Sequence, residues 1–387
     1  KTLHIVSRLL KNNKEGLSFE FDYYDFHEIS KEQALNDETV WRCNLLGGHR
    51  LNHLIRKISL KNDIQTSLKD YVLNYLIISN KSYGEGYMRG NKNLYNSEII
   101  TSHKNLIANN FNCQGYTLVD IDINSKFQWT RSEKDLYKTP LIVIKEGIVK
   151  NNFPLHYFDD NEYEYIPFDS QIVGISFHEN KDGFLKVKNK INQNLKLNAL
   201  KTLSTCSKFF LGQSSVITKN EIDNWTIPLD GDKIKLSFAE NIVMEDVLDY
   251  IYPSWYEEKP KINRVAKLDS ELKDFAYIFN QSFNSIYRKE GKEQQLKKIL
   301  IGDDFYSLEF YYGSEDQELQ IIENADLQIE EIIKNNISKN AIVNRVLKIY
   351  SQNSITLIKP KNLRYWLKSI ALRDADDVFD DMIKNGY

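Results

Sequence analysis

The chain has 387 residues, enough for two or three domains and an ample core. With 41% apolar and 27% charged residues and a net charge of −3, it is globular material, neither disordered nor fibrous nor coated in positive charge. Any contact with nucleic acid therefore requires its Lys and Arg to be sorted onto one face.

Cys43, Cys113 and Cys206 are far apart and form no C-x-x-C pair, which points to reduced, cytoplasmic thiols and no structural zinc. No apolar run approaches the roughly 20 residues of a bilayer span, so no membrane partner is expected. Lys1–Leu10 reads as mid-chain sequence, and the chain is expected to be the C-terminal portion of a longer protein.

In chain order, the acidic aromatic run "FEFDYYDF" (19–26) makes a poor domain start. "VWRCNLLGGHRLNHLIRKISL" predicts a short apolar stretch, a turn at Gly47-Gly48 and an amphipathic helix with Leu51, Leu54, Ile55 and Ile58 on one face. A helix over about 66–78 follows. From about 79 to 230 the texture is loop and strand, with "TPLIVIKEGIV" and "SQIVGISF" as strands. Helical spacing returns between Leu195 and Leu211, overlapping the end of the lysine run "LKVKNKINQNLKLNALK".

Beyond about 236 the pattern predicts a helix near 268–289, a strand at "FYSLEFYY", a helix near 323–336 and a hairpin in "NRVLKIYSQNSITLIKP". The last element, "LRYWLKSIALRDADDVFDDMI" (363–383), begins basic and ends with five aspartates within 374–381. Its apolar stripe slips around 372–376, which predicts a kink or a second helix start. The aspartates read as a solvated, capped face.

Several patterns resemble chemistry without completing it. His49 and His53 share a helix face at i, i+4 but lack the Glu of a metalloprotease motif. Asp120 and Asp122 share a strand face without the Glu-x-Lys a nuclease adds, and Gly84, Gly86 and Gly90 lack dinucleotide spacing. No G-x-S-x-G elbow is present, so no catalytic residue is assigned.

"IKPKNLRYWLKSIALRDADD" resembles the tail of large bacterial restriction–modification enzymes, the adenine-N6 DNA methyltransferases in which methylase and DNA specificity share one polypeptide (type IIG). "VWRCNLLGGHRLNHLI" resembles the segment joining methylase to specificity half. "TPLIVIKEGIVKNNFPLHYFDD", "SQIVGISF" and "LNALKTLSTCSKFFLGQSSVITKNEIDNWTIPLD" resemble a target recognition domain. The Asn/Asp-Pro-Pro-Tyr/Phe motif that holds a flipped adenine is missing from the chain, as is the F-x-G-x-G loop for S-adenosylmethionine.

The resemblance implies an α+β chain in three parts: a helical connector over 1–78, a mixed strand/helix target recognition domain over 79–235 and a helix-rich α+β domain over 236–387. It implies double-stranded DNA and a methylase domain or subunit as partners. No cofactor is expected in this segment, and S-adenosylmethionine is implied for the full-length protein. Candidate DNA-binding residues are Arg89, Lys92, Lys186, Lys188, Lys190, Ser214, Ser215, Lys219, Arg364 and Lys368, cations for the backbone and hydroxyls for bases or phosphates. The rival expectation is a protein–protein module that docks a methylase or nuclease subunit without touching DNA.

Overall fold

The structure is a computed structural model that describes residues 30–36, 38–89, 98–122, 127–128, 134–148, 152–159, 161–206, 217–255, 257–288, 291–314, 318–336 and 347–384. The run at 19–26 lies outside them. The fold is α+β, as expected. The chain divides into two compact units, 27–258 and 259–387. The expected boundaries at 78 and 235 both fall inside the first unit, because helix α1 (Glu38–Ser59) packs along helix α2 (Lys181–Thr205) and helix α3 (Phe238–Asp246).

Helix α1 bends at Gly47-Gly48, where Gly48 takes a φ of 67°, a left-handed conformation that glycine adopts without a Cβ penalty. Its predicted stripe is the buried face: Leu51, Leu54, Ile55 and Ile58 are all at most 1% exposed. The helix expected over 66–78 is instead strand β1 (Gln65–Ser67), a single helical turn at Leu68–Asp70 and a wide π turn at Tyr71–Tyr75.

Strands β2 (Tyr83–Glu85), β3 (Asn105–Asn112), β4 (Gly115–Val119), β5 (Leu141–Lys145), β6 (Leu155–Phe158), β7 (Ile172–Ser176) and β8 (Thr226–Pro228) complete this unit's labelled strands. An antiparallel sheet runs β2-β7-β5-β6, and β1 pairs with β8. The run Leu-Ile-Val-Ile of β5 is buried on both faces, as a continuous apolar strand requires. Phe168 packs so close to two glycines that a Cβ on Gly86 would lie 1.9 Å from its carbonyl oxygen, and one on Gly174 would lie 2.2 Å from its ring. Larger residues at either point would push the strand ends apart.

Helix α2 is longer than the periodicity predicted, beginning at Lys181 under an Asn180 cap whose side chain accepts from the Gly183 N–H at 2.9 Å. Its inner face is not wholly apolar. Lys190, Asn194 and Asn198 recur at helical spacing among Val187, Ile191 and Leu197, and all are buried. Lys190 Nζ donates to the carbonyls of Pro228 (2.9 Å), Leu229 (3.4 Å) and Gly231. Asn194 accepts from the Ile234 N–H at 2.9 Å and donates to the Asp232 carbonyl at 2.7 Å, while Asn198 accepts from the Thr226 N–H at 2.7 Å. Lys201 extends the seam to the Asn224 carbonyl at 2.7 Å and the Thr226 hydroxyl at 2.8 Å. The helix thus supplies side-chain partners to the backbone of 224–234, whose polar groups would otherwise be buried unpaired. Burial lowers the pKa of Lys190 and brings that of Lys201 down to about 8.

The second unit joins helix α4 (Lys273–Tyr287), helix α5 (Asp326–Asn336) and helix α6 (Lys368–Lys384) to a five-stranded sheet. Its strands are β9 (Glu293–Ile301), β10 (Phe305–Gly313), β11 (Gln320–Glu323), β12 (Leu347–Tyr350) and β13 (Ser354–Pro360), in the order β11-β9-β10-β13-β12. Only the edge pair β9–β11 is parallel. The predicted helices near 268–289 and 323–336, the "FYSLEFYY" strand and the β12–β13 hairpin all form where the spacing placed them.

The C-terminal element departs from expectation twice. Leu363–Tyr365 is a short 3-10 turn, and α6 then runs unbroken from 368 to 384, with no kink at 372–376. Its acidic half is not simply a solvated face either. Asp374 is 1% exposed and pairs with Lys359 of β13, whose side chain is 0% exposed. The Lys359 ammonium also donates to the Tyr365 carbonyl at 3.1 Å and lies over the rings of Phe275 and Trp366 at 4.3 and 5.1 Å. Burial outweighs its carboxylate neighbour, so its pKa falls to about 8. Lys348 reaches Asp377 at 3.3 Å and Asp381 at 3.4 Å, and the Tyr350 hydroxyl donates to Asp381 at 2.6 Å. Trp366 packs edge-on against Phe275 and Tyr306, and its indole N–H donates to the Pro360 carbonyl at 2.7 Å. Burying a side chain of this size contributes roughly 1.5–3 kcal/mol, and α6 packs along α4, where Phe379 stacks on Phe283 and Tyr287 at 5.6 Å.

Candidate nucleic-acid interface

Helix α2 carries six lysines and a single acidic residue, Asp182 in its first turn. The seam turns Lys190 and Lys201 inward. Lys181, Lys186 and Lys196 are exposed, among the exposed amides of Asn189, Asn192 and Gln193, with Lys186 one turn from Lys190 at the edge of the solvent-facing arc. Lys188, half-buried, lies over the rings of Tyr157 and Phe184 at 5.1 and 5.7 Å, and the Tyr157 hydroxyl donates to Asn192 at 2.7 Å. An ammonium so placed keeps its stem packed and its charge outward.

The remaining sequence candidates scatter. Lys190 is the clearest correction: with three carbonyl partners and a buried ammonium, it cannot reach a phosphate. Lys219 is bound to both carboxylate oxygens of Asp223, at 2.6 and 2.5 Å, and lies over the Tyr83 ring at 4.6 Å, so its charge is neutralised within the fold. Arg89 sits in the two-residue strand Met88–Arg89, which pairs with 127–128. Lys92, Ser214 and Ser215 lie outside the described residues. Arg364 and Lys368 belong to the second unit, where Arg364 donates to the Asn263 side chain and Lys368 pairs with Asp274 at 3.0 Å.

A feature the residue patterns did not disclose stands in the first unit. Strands β3 and β4 form a two-stranded ribbon apart from the main sheet. Leu106 opposes Leu118 and Phe111 opposes Tyr116, so residues 107–110 stand opposite Thr117 alone. Such a large bulge frees backbone groups, and two side chains take them up. Lys145 Nζ donates to the carbonyls of Ala108 (2.6 Å) and Phe111 (2.9 Å), and the Asp169 carboxylate accepts from the Ala108 N–H at 3.1 Å. Hydrogen bonds to charged groups contribute about 1.5–3 kcal/mol each, so the bulge is held as a defined shape. Leu106, Ala108 and Phe111 face the core with Tyr116 and Leu118. Asn109, Asn110, Asn112, Gln114 and Thr117 are exposed. The only trace in the sequence is "NLIANNFNCQG", where alternation breaks at a pair of asparagines.

A polar groove of about 370 Å³ is lined by Lys138, Thr139, Asn161, Glu162, Tyr163, Glu164, His178 and Lys181. In it, His178 Nδ1 lies 3.0 Å from the Ser176 hydroxyl, and Nε2 lies 3.7 Å from Asp135 and 3.5 Å from Glu179. The order Ser-His-Asp resembles a nucleophile triad but does not function as one. Ser176 is 1% exposed and its hydroxyl donates to the Lys138 carbonyl at 2.7 Å, so the proton a base would remove is committed.

Among the described residues no cluster of His, Cys, Asp and Glu is arranged to hold a metal. His49 and His53 are exposed, while Cys43 is buried. Asp120 is held by Lys104 at 2.5 Å. No described sheet has the parallel core and glycine-rich strand-to-helix turn that cradle S-adenosylmethionine-type cofactors. No helix among the described residues is long and apolar enough to cross a membrane. No family model, curated protein or solved structure matches the chain.

Proposed function

We propose that the unit over 27–258 is a DNA-contacting specificity module of a restriction–modification adenine methyltransferase, acting with a methylase domain or subunit that supplies S-adenosylmethionine chemistry. The observation that carries this reading is the solvent-facing arc of α2, where Lys181, Lys188 and Lys196 stand with Asn189 and Asn192, and Lys186 lies at its edge, while the helix's single acidic residue stays in the first turn. Cations hold the phosphate backbone and fix register, and neutral side chains nearby read base edges. A net charge of −3 confines the attraction to this local face.

The test is the salt dependence of binding to a short duplex, followed by fluorescence anisotropy from low ionic strength upward. Each phosphate neutralised adds about −0.9 to the slope of log K against log salt. Replacing Lys186, Lys188 and Lys196 with Ala is expected to flatten that slope by between two and three. An unchanged slope, or no binding at any salt, would refute the reading.

A further inference from the structure

We infer that the bulge of β3 presents Asn109 and Asn110 to the major-groove edge of an A·T base pair. This rests on the reading that the first unit contacts DNA, and it assigns the base-reading element within that unit.

Three observations converge on it. The first is shape: β3 and β4 form a ribbon of two strands outside the main sheet, and the major groove, about 12 Å wide, admits a two-stranded ribbon. The second is chemistry. The exposed polar side chains of the ribbon, Asn109, Asn110, Asn112, Gln114 and Thr117, are neutral. They suit base edges, which ask for a donor beside an acceptor, better than phosphates. A side-chain amide offers both in one plane and matches adenine N6 and N7, and a threonine opposite can bring its methyl to that of thymine. Asn112 is occupied in closing the turn, accepting from the Gln114 N–H at 2.8 Å, and Gln114 sits in that turn, whereas the bulge pair stands on backbone that is held from below.

The third observation is rigidity. Lys145 and Asp169 bind the bulge backbone at Ala108 and Phe111, on either side of the two asparagines. The Leu106 N–H also donates to the Pro167 carbonyl at 2.8 Å. Fixing the backbone beneath a contact residue lowers the ordering cost of binding. The core-facing residues 106, 108 and 111 hold the ribbon from below, so the pair at 109 and 110 faces outward by construction.

The experiment selects bound duplexes from a randomised pool with the full chain and with its Asn109→Ala/Asn110→Ala variant. Both residues are exposed, so folding is untouched, and thermal unfolding checks this. The wild type is expected to enrich a site containing an A·T pair, and the variant to lose preference at one or two adjacent positions by about 5- to 150-fold, with its salt slope unchanged. Placing 7-deazaadenine, which lacks the N7 acceptor, at that pair should weaken the wild type and not the variant. If the variant enriches the same site, or the wild type binds without any sequence preference, this inference is overturned and the proposed module stands as a backbone binder. If neither protein binds duplex at any salt, the module reading falls and this assignment falls with it.

Discussion

Each unit of this chain buries a lysine, and the two are satisfied in opposite ways. In the first unit Lys190 is held by three neutral carbonyls, a seam joining α2 to the backbone of 228–231. In the second, Lys359 is held by a carboxylate, Asp374, that is itself buried. A carbonyl seam spreads the charge over dipoles that belong to the backbone, so removing the lysine leaves polar atoms unpaired but strands no charge. A buried ion pair concentrates two opposite charges where water does not reach, so either partner alone is strongly unfavourable. The difference teaches that one residue type can be part of a hydrogen-bonding scaffold in one place and half of an obligate pair in another.

The largest expected effect breaks the pair. Lys359→Met should destabilise the second unit by up to about 3–5 kcal/mol, because Asp374 is left buried with only the longer Arg373 contact at 3.4 Å, and Lys359→Met/Asp374→Leu should recover most of that loss. Hydrogen exchange on α6 and β13 reads both outcomes, and a double variant no better than the single one would contradict the obligate pairing.

Raising the pH tests the same lysine without mutation. Its folded pKa is about 8 against an ordinary 10.5, so between those values the unfolded chain holds a proton that the folded chain has shed. Its contribution to stability therefore rises with pH across that window. The Lys359→Met variant should lose this rise. Lys201, also brought to about 8, predicts a rise of the same sign in the first unit.

A smaller effect is expected from Lys190→Met, about 1–3 kcal/mol for carbonyls left without a donor, read as faster exchange around 224–234. No single second-site change should rescue it, since its partners are main chain; rescue at one side chain would blur the contrast between the units. Smallest is Lys368→Ala, under about 1 kcal/mol because its pair with Asp274 is exposed. On the proposed reading it leaves the salt slope of DNA binding unchanged, and a flattened slope would bring the second unit into the interface.

Much of this contrast was legible in residue spacing. Asp374 follows Ala371 by three and precedes Val378 by four, which puts it on the buried stripe of α6. Lys359 alternates with Leu357 and Ile355 on one face of β13. Lys190 stands three after Val187 and four before Asn194 on the inner face of α2. Reading charged residues as solvent-facing by type overrode those positions and produced the expected solvated acidic face and the misplaced Lys190.

The strands and the β12–β13 hairpin were readable because apolar alternation and turn residues act locally. The helix expected at 66–78 failed because tertiary pairing of β1 with β8, 163 residues apart between Gln65 and Pro228, claimed its first residues. The bulge of β3 left only the break in alternation at Asn109-Asn110 as a trace. Its shape depends on Lys145 and Asp169, each remote in sequence from the residues it holds, and no local pattern announces such partners.

That bulge separates what keeps its shape from what it displays. Lys145 and Asp169 grip main-chain atoms of Ala108 and Phe111 in β3, and main-chain atoms are the same whatever side chain they carry. Positions 109 and 110 are therefore free to accept substitutions without disturbing the fold that presents them. A lineage exposed to changing targets has here two sites at which variation is cheap in stability, so sequence diversity among descendants should concentrate there while positions 145 and 169 stay fixed.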